Sequence, residues 1–410
     1  MTGAAFGKNR GLVLTLGALS AFGPMSIDMY LPSLPTITRE FATDQASVQL
    51  TLSSLLVGFA LAQLFYGPIS DRYGRRWPLI AGISLYSLAS LACAVAANVE
   101  TMIVARFVQG FGGAVGPVLA RAIVRDLFDK NESARMLSFL FLVMAAAPLL
   151  APALGGQILT FFGWRTVFWI LAGFGVLCIA LVVFVLAETL PADRRTSHNA
   201  LDMAKSYGEL LVHKRYLGYA FASGFILAGM FVYISWSPFV FIDGFGVPPQ
   251  FFFLIFSTNV LGMMVCASLN SRFVMLWGVD RMLLFSTLWA AAWACLMAVL
   301  AGSAWGGLYA ITIPLFFYLM TIAVTAANGT AGALADFPHM AGTASALMGT
   351  IHYALGAIMG AAVGLVFDGD ALPMAGAIAI AGAVALLARL FLIVKQDERS
   401  PLPGGRGLRL

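Results

Sequence analysis

The sequence predicts an all-α integral membrane protein with twelve transmembrane helices in two pseudo-symmetric six-helix bundles. Three observations carry this reading: an apolar composition, uncharged runs of spanning length, and a loop pattern that returns after half the chain. Of 410 residues, 60% are hydrophobic and 10% charged, with a mean hydropathy of +0.89. Soluble domains carry about 25% charged residues, so this composition calls for lipid as the solvent. It excludes an ordinary soluble enzyme, a disordered chain, collagen and a disulfide scaffold. Cys93, Cys178, Cys266 and Cys295 lie far apart, each inside an apolar stretch. They read as small buried hydrophobes, without metal spacing or a disulfide framework.

Uncharged runs locate the spans at 45–70, 77–99, 136–164, 166–187, 216–242, 244–271, 282–335, 340–367 and 371–388. The 282–335 run holds two helices and breaks at 302–307, a stretch rich in glycine. Two further spans carry one charge each, near 11–34 around Asp28 and near 101–121 around Arg106. About 20 apolar residues cross the hydrocarbon core, so the count is twelve. The longest polar stretch, 188–215, falls between spans six and seven. The expected organisation is therefore a bundle over 1–187, a cytoplasmic linker over 188–215 and a second bundle over 216–410.

Basic residues orient the spans. With the N-terminus inside, 21 of the 24 Lys and Arg fall on cytoplasmic positions, from Lys8 and Arg10 to Arg406 and Arg409. Arg39 and Arg165 fall outside, and Arg106 lies within the membrane. Both termini are thus expected in the cytoplasm. The net charge of +5 is spread over loops as a topology signal, with no aromatic-interleaved patch for nucleic acid. Reading the first 30 residues as a cleaved signal peptide (Lys8, Arg10, then Ala18, Ser20 and Ala21) would leave eleven spans and invert every later loop against the charge rule.

The loop after span two reads Gly67-Pro-Ile-Ser-Asp71-Arg72-Tyr-Gly74-Arg75-Arg76. Glycine permits a tight two-helix turn, and Asp71 with the three arginines is able to form an ion-pair cluster. An echo follows span eight as Asn270-Ser-Arg272, Gly278 and Arg281, with Arg272 200 residues after Arg72. That offset fits a parallel internal repeat with its site between the halves. In span five, Ala147, Ala151 and Gly155 recur every four residues as a stripe that allows close helix approach. Pro148 and Pro152 bend that helix locally, and Gly156 follows. Span four runs Arg106-Phe-Val-Gln109-Gly110-Phe-Gly-Gly113-Ala-Val-Gly116-Pro117.

These three patterns resemble the loop, the antiporter helix motif and the fourth-helix arginine motif of the major facilitator superfamily, with alanines at two of the stripe's usual glycines. The resemblance implies that fold, and implies that Asp126 pairs with the arginines of the 67–76 loop and helps lock the outward-facing state. Further stretches are similar to the bicyclomycin-resistance (Bcr/CflA-like) drug:proton antiporters: Ser26-Ile-Asp28-Met-Tyr-Leu-Pro-Ser-Leu-Pro35, His213-Lys-Arg215, Ala222-Ser-Gly-Phe, Ala228-Gly-Met-Phe231 and the run 336–345 from Asp336 to Ser345. They cover both halves of the chain. The implied activity is proton-driven multidrug efflux across a bacterial inner membrane. The implied partners are bicyclomycin-type, chloramphenicol-type or sulfonamide drugs, protons and the lipid bilayer, with a monomer expected and no cofactor or metal.

Ionisable groups inside a membrane are costly and usually functional. Of 19 acids, only Asp28 lies clearly within a span. At 1.5 Å per residue, Asp28 sits about 9 Å and Arg106 about 7.5 Å outside the midplane. This depth match predicts a proton-titrating carboxylate tuned by Arg106, or else a static salt bridge. Gln109, Asn259, His352 and Tyr353 fall near the midplane, while Tyr233 and Trp236 fall on helix seven's outer half. A cavity lined by them would suit a bulky, weakly polar substrate. Trp77, Trp164 and Trp305 are expected at the membrane interfaces.

Two other functions are weighed. A membrane enzyme needs clustered His, Asp, Glu or Cys, whereas His198, His213, His339 and His352 are scattered, and no phosphate-cradling Gly-x-x-x-x-Gly-Lys loop occurs. A uniporter or symporter on the same scaffold, or an exporter of a small metabolite or peptide, shares the architecture. Topology is directly testable in a variant lacking the native cysteines. Arg195→Cys and Arg399→Cys should resist an impermeant thiol reagent in intact cells, while Asp243→Cys reacts. Labelling of Arg399→Cys from outside contradicts the twelve-span topology.

Overall fold

A computed structural model describes residues 10–195, 200–303 and 305–393. Lys8, His198, Lys395, Arg399, Arg406 and Arg409 lie outside the described residues. Among the described residues every regular element is helical. Helix α1 is a bent pair, Arg10–Ser20 and Phe22–Glu40, with a 42° angle between its parts. Then follow α2 (Gln45–Tyr73), α3 (Arg76–Ala94), α4 (Val99–Leu127), α5 (Arg135–Phe162), α6 (Arg165–Val185) and α7 (Lys214–Gly244). A helical run over Phe252–Gly302 turns at Gly278 (φ 77°, ψ 164°), which separates α8 (252–277) from α9 (279–302). The last three are α10 (Gly307–Ala335), α11 (Ala341–Gly364) and α12 (Leu372–Leu392). Among the described residues ten helical runs are long and apolar enough to cross a membrane, eleven with the bent pair taken as one span, and the turn at Gly278 divides the 54-residue run to give twelve. The break expected at 302–307 falls between α9 and α10.

The internal repeat is visible in the backbone. Gly74 (φ 90°, ψ 171°) ends α2, and Gly278 ends α8 in nearly the same conformation, 204 residues later. Both positions need the positive φ that glycine alone adopts without strain. Helix α4 is interrupted at Ala114 and α10 at Met320, 206 residues apart. Large apolar side chains such as Leu14, Leu150, Phe184 and Leu390 are exposed along the helices, the surface expected where lipid is the solvent.

Glycines set the internal spacing. A Cβ on Gly110 of α4 would meet the Leu55 carbonyl of α2 at 2.2 Å, and one on Gly116 would meet the Leu19 carbonyl of α1 at 2.3 Å. Helix α4 therefore lies against the backbones of both neighbours, as small residues allow. Helix α1 bends at Ala21 because Pro24, having no N–H, cannot bond the Ser20 carbonyl; Pro32 likewise leaves the Asp28 carbonyl without its helical donor. The helix segment Phe22–Asp28 ends there, and a 3₁₀ turn, Leu31–Ser33, follows.

One expectation needs correction. Trp77 and Trp305 are exposed at helix ends, but Trp164 is 2% exposed. Its indole donates to Glu40 at 2.6 Å, so it ties α6 to the end of α1 and is not an interfacial anchor. Arg165 pairs with the same carboxylate.

The stripe in α5 packs on the α1 break. A Cβ on Gly155 would meet the Met29 carbonyl oxygen at 2.1 Å, while one on Gly156 would meet the Pro249 carbonyl at 2.9 Å. Adjacent residues of α5 thus touch α1 in its own half and the turn before α8 in the other. Helix α5 runs through Pro148 and Pro152 without interruption. Because Gly155 meets backbone, which cannot rotate away, Gly155→Leu should yield a membrane-inserted protein that is inactive or leaky, read by transport and by proton leak in vesicles. A fully coupled variant would contradict the contact.

Candidate functional site

The buried polar centre is built on α1, α3 and α4. Arg106 is fully buried and Asp28 is 4% exposed. Arg106 Nη1 donates to the Ser26 carbonyl at 3.0 Å and to Gln109 Oε1 at 2.6 Å. Gln109 Nε2 donates to Ser90 Oγ at 2.7 Å. Ser26 Oγ lies 2.8 Å from the Tyr86 hydroxyl. The guanidinium stands 4.5 Å from the centre of the Tyr30 ring and 5.7 Å from that of Phe168, within cation–π range. Its Nε and Nη2 are buried without a hydrogen-bond partner among the described residues. The cation is thus held by a carbonyl, an amide and two aromatic faces.

The sequence brings Asp28 and Arg106 to similar depth, yet their side chains do not pair. Among the described residues, neither a hydrogen bond nor an ion pair reaches the Asp28 carboxylate. Arg106 instead holds the backbone two residues earlier. A static Asp28–Arg106 salt bridge is therefore absent from this conformation. Asp28 lies near Tyr233 of the other half. Tyr233 accepts from Asn259 Nδ2 at 3.1 Å and stacks on Phe256.

The expected cavity residues divide. Tyr353 of α11 stacks on Phe59 of α2 at 5.4 Å and lies 5.6 Å from the Phe231 ring, so it stands at the contact between the halves. His352 is 3.0 Å from Ser223 Oγ and sits between α7 and α11. Trp236 is fully buried, donates to the Gly360 carbonyl at 2.9 Å and packs on Phe367. That side chain is committed to the α7–α11 contact. Gln109 is committed to Arg106 and Ser90.

At the end of the bundle where α2 meets α3, the loop motif gathers around one cation. Arg75 Nη1 bonds Asp71 at 2.5 Å and Ser70 Oγ at 2.7 Å, and its Nε bonds Asp126 at 2.8 Å. Burial alone would lower the Arg75 pKa; the bonds to Asp126 and Asp71 outweigh it and hold the group above its ordinary value. Arg76 donates to the Val183 carbonyl at 2.7 Å, tying α3 to α6. Arg72 is exposed beside Tyr73, and Gly67 faces open space, so neither joins the network.

A residue that the sequence reading passed over completes it. Glu188 accepts from the backbone N–H of Arg75 at 2.8 Å and of Arg76 at 3.2 Å. It also accepts from Thr189 and Leu190, both at 3.0 Å. It therefore caps α3, where a carboxylate is favoured by free N–H groups and the helix dipole. Burial raises its pKa, but these four backbone bonds prevail and hold it below the usual carboxylate range. A Cβ on Gly74 would strike Glu188 Oε2 at 2.4 Å, so glycine is needed there for space as well as for φ. The available signal was its place: the first acid after the 166–187 run, facing a basic loop.

The other half carries a looser counterpart. Arg215 pairs with Asp336 at 3.5 Å, Tyr219 bonds Asp280 and Arg389 donates to the Asp280 carbonyl at 3.1 Å. The His213 ring caps α7 through Tyr216 N at 3.2 Å. Two segments distant in sequence, 213–215 and 336–338, meet here.

Comparison with known proteins agrees with this architecture. Residues 16–361 match the family described as Major Facilitator Superfamily. An uncharacterized MFS-type transporter YdgK of Bacillus subtilis (strain 168) is 39% identical over 383 residues, covering 92% of this chain and 94% of the relative. A bicyclomycin resistance protein homolog of Haemophilus influenzae is 36% identical over 387 residues, covering 93% and 95%. The solved structure of a D-xylose-proton symporter aligns with a TM-score of 0.71 at 16% identity, covering 93% of this chain and 96% of that one, a likeness of fold alone. The broken helices, the glycine-spaced bundles and these matches lead to one conclusion: the chain belongs to the major facilitator superfamily, within its bicyclomycin-resistance (Bcr/CflA-like) branch, and is a multi-pass membrane transporter and not an enzyme.

Proposed function

We propose that the chain is a proton-driven antiporter that exports drug-like small molecules from the cytoplasm by alternating access. In this reading it works as a monomer in a bacterial inner membrane with both termini cytoplasmic. Residues 1–187 and 216–410 form the two moving bundles, and 188–215 links them. Bicyclomycin-type compounds are the first substrates to test, followed by chloramphenicol-type and sulfonamide drugs.

One observation carries the reading. Asp28 is a buried carboxylate at the broken end of α1, without an ionic partner among the described residues, and near Tyr233 of the opposite half, which Asn259 bonds. A carboxylate whose surroundings change as the halves move binds and releases a proton in step with that motion. Substrate enters from the cytoplasm and settles between Asn259 and Tyr233 on one side and Tyr353 on the other. Its arrival displaces the proton from Asp28 to the inside. After the halves rock and substrate leaves outward, Asp28 takes up a proton from the outer face, and the cycle restarts. Arg106 serves as a positioning residue, because its bond to the Ser26 carbonyl fixes where α1 breaks. The Asp71–Arg75–Asp126–Glu188 network joins α2, α3, α4 and the start of the linker, so it keeps one bundle rigid while the linker transmits motion.

The test is Asp28→Asn in proteoliposomes. The variant should insert and bind bicyclomycin with near-normal affinity, yet lose export driven by a pH gradient. Retained gradient-driven export would eliminate Asp28 as the coupling group and move attention to His352.

A further inference from the structure

Four buried polar oxygens have no hydrogen-bond partner among the described residues and lie on the outer side of Asp28: Ser33 Oγ, Gln49 Oε1, Ser235 Oγ and Ser237 Oγ. All four side chains belong to residues with no exposed surface. Such groups are rare in folded proteins, because a buried unpaired polar atom costs about 1–3 kcal/mol. Gln49 and Ser235 meet across one seam, Ser237 follows two residues on along α7, and the turn that holds Ser33 packs on the same helix. A Cβ at Gly360 of α11 would lie 2.7 Å from Gln49 Nε2, 3.4 Å from Ser235 Oγ and 3.5 Å from Ser53 Oγ. Gln49 Nε2 donates to Ser53 Oγ at 3.0 Å, which donates to the Ala357 carbonyl at 3.0 Å. Three helices of two different halves, α2, α7 and α11, thus converge on a glycine, and the absent side chain leaves the polar atoms facing one another.

The seam has two ends. One turn outward, Ala46 and Gly364 line a cavity of about 410 Å³ that opens at the outer face, together with Thr38, Asp44 and Phe367. Four residues inward on α7 from Ser237, and two from Ser235, lies Tyr233, near Asp28. The Leu31–Ser33 turn, which follows Asp28 directly, packs on α7. The titratable groups along this line are Asp44 at the mouth and Tyr233 and Asp28 at the inner end.

We propose that this seam is the outer proton entry: a file of water molecules, held by Gln49, Ser53, Ser235, Ser237 and Ser33, that connects the outer cavity with Asp28. A water needs two to four polar partners, and the side chains above supply them. The step balances. A hydronium at the mouth gives its proton to the first water, each water passes one proton on, and the last O–H bond forms at the Asp28 carboxylate. The waters end as they began. The inference rests on Asp28 being the coupling group and adds the route by which its proton arrives.

Ser235→Ala and Gln49→Leu test it, the former deleting a hydroxyl that has no partner among the described residues. Each removes one holding point for water, worth about a tenfold change in occupancy. In proteoliposomes the expected result is a roughly tenfold slower export driven by a pH gradient, with drug–drug exchange at symmetric pH unchanged, since exchange needs no proton from outside. Ser235→Thr, which restores a hydroxyl, should recover part of the rate. An unchanged gradient-driven rate in both variants, or an equal loss in both assays, overturns the proposal. Drug-triggered proton release in detergent keeps the two readings apart. It should persist in Ser235→Ala and Gln49→Leu, and its absence from the unmodified protein would overturn the Asp28 assignment itself.

Discussion

The break in α1 at Asp28 is the constraint on which the rest of the structure depends. Pro32 removes the donor that would continue the helix beyond the Asp28 carbonyl, so the chain turns there. Three contacts hold the turn in place. Gly155 presses the α5 backbone against the Met29 carbonyl, Arg106 grips the Ser26 carbonyl, and the 3₁₀ turn at Leu31–Ser33 lies on α7. A buried carboxylate is thereby fixed near the contact between the two halves. Burying a charge without a partner is expensive, which is why the proposed cycle has Asp28 alternate between neutral and charged forms.

Polarity is distributed unevenly along the membrane normal. The α2–α3 end of one half and the matching end of the other are fastened by ionic networks, Arg75 with Asp71 and Asp126 in one and Arg215 with Asp336 in the other. Each lies within its own half. The contacts that cross between halves are of another kind. Ser53 bonds the Ala357 carbonyl, Thr350 bonds the Ala60 carbonyl at 2.9 Å, and Tyr353 stacks on Phe59. Such single neutral bonds contribute about 1 kcal/mol each, weak enough to be exchanged during a cycle. Rigidity within halves and weak polar contact between them is what rocking of two bundles requires.

Much of this was legible in the sequence. Counting uncharged runs located the spans, since hydrocarbon thickness fixes helix length, and the half-chain echo of the 67–76 loop anticipated the matching turns at Gly74 and Gly278. The loop motif placed Asp71, Arg75 and Asp126 together. Side-chain direction was not legible. Depth along helices apolar on every face says nothing about azimuth, which is why Asp28 and Arg106 share a level and yet do not pair. For the same reason Trp236 read as a cavity residue although its indole is spent on Gly360. Glu188 was hidden because its role is to cap α3, a helix 112 residues earlier in the chain that only the tertiary fold brings to it.

The account stands on a proton that leaves Asp28 when substrate binds. Purified protein in weakly buffered detergent, titrated with bicyclomycin while the bulk pH is followed, measures this directly. The account predicts acidification that saturates together with binding and approaches one proton per drug molecule. Binding that saturates with no proton appearing in solution would contradict it.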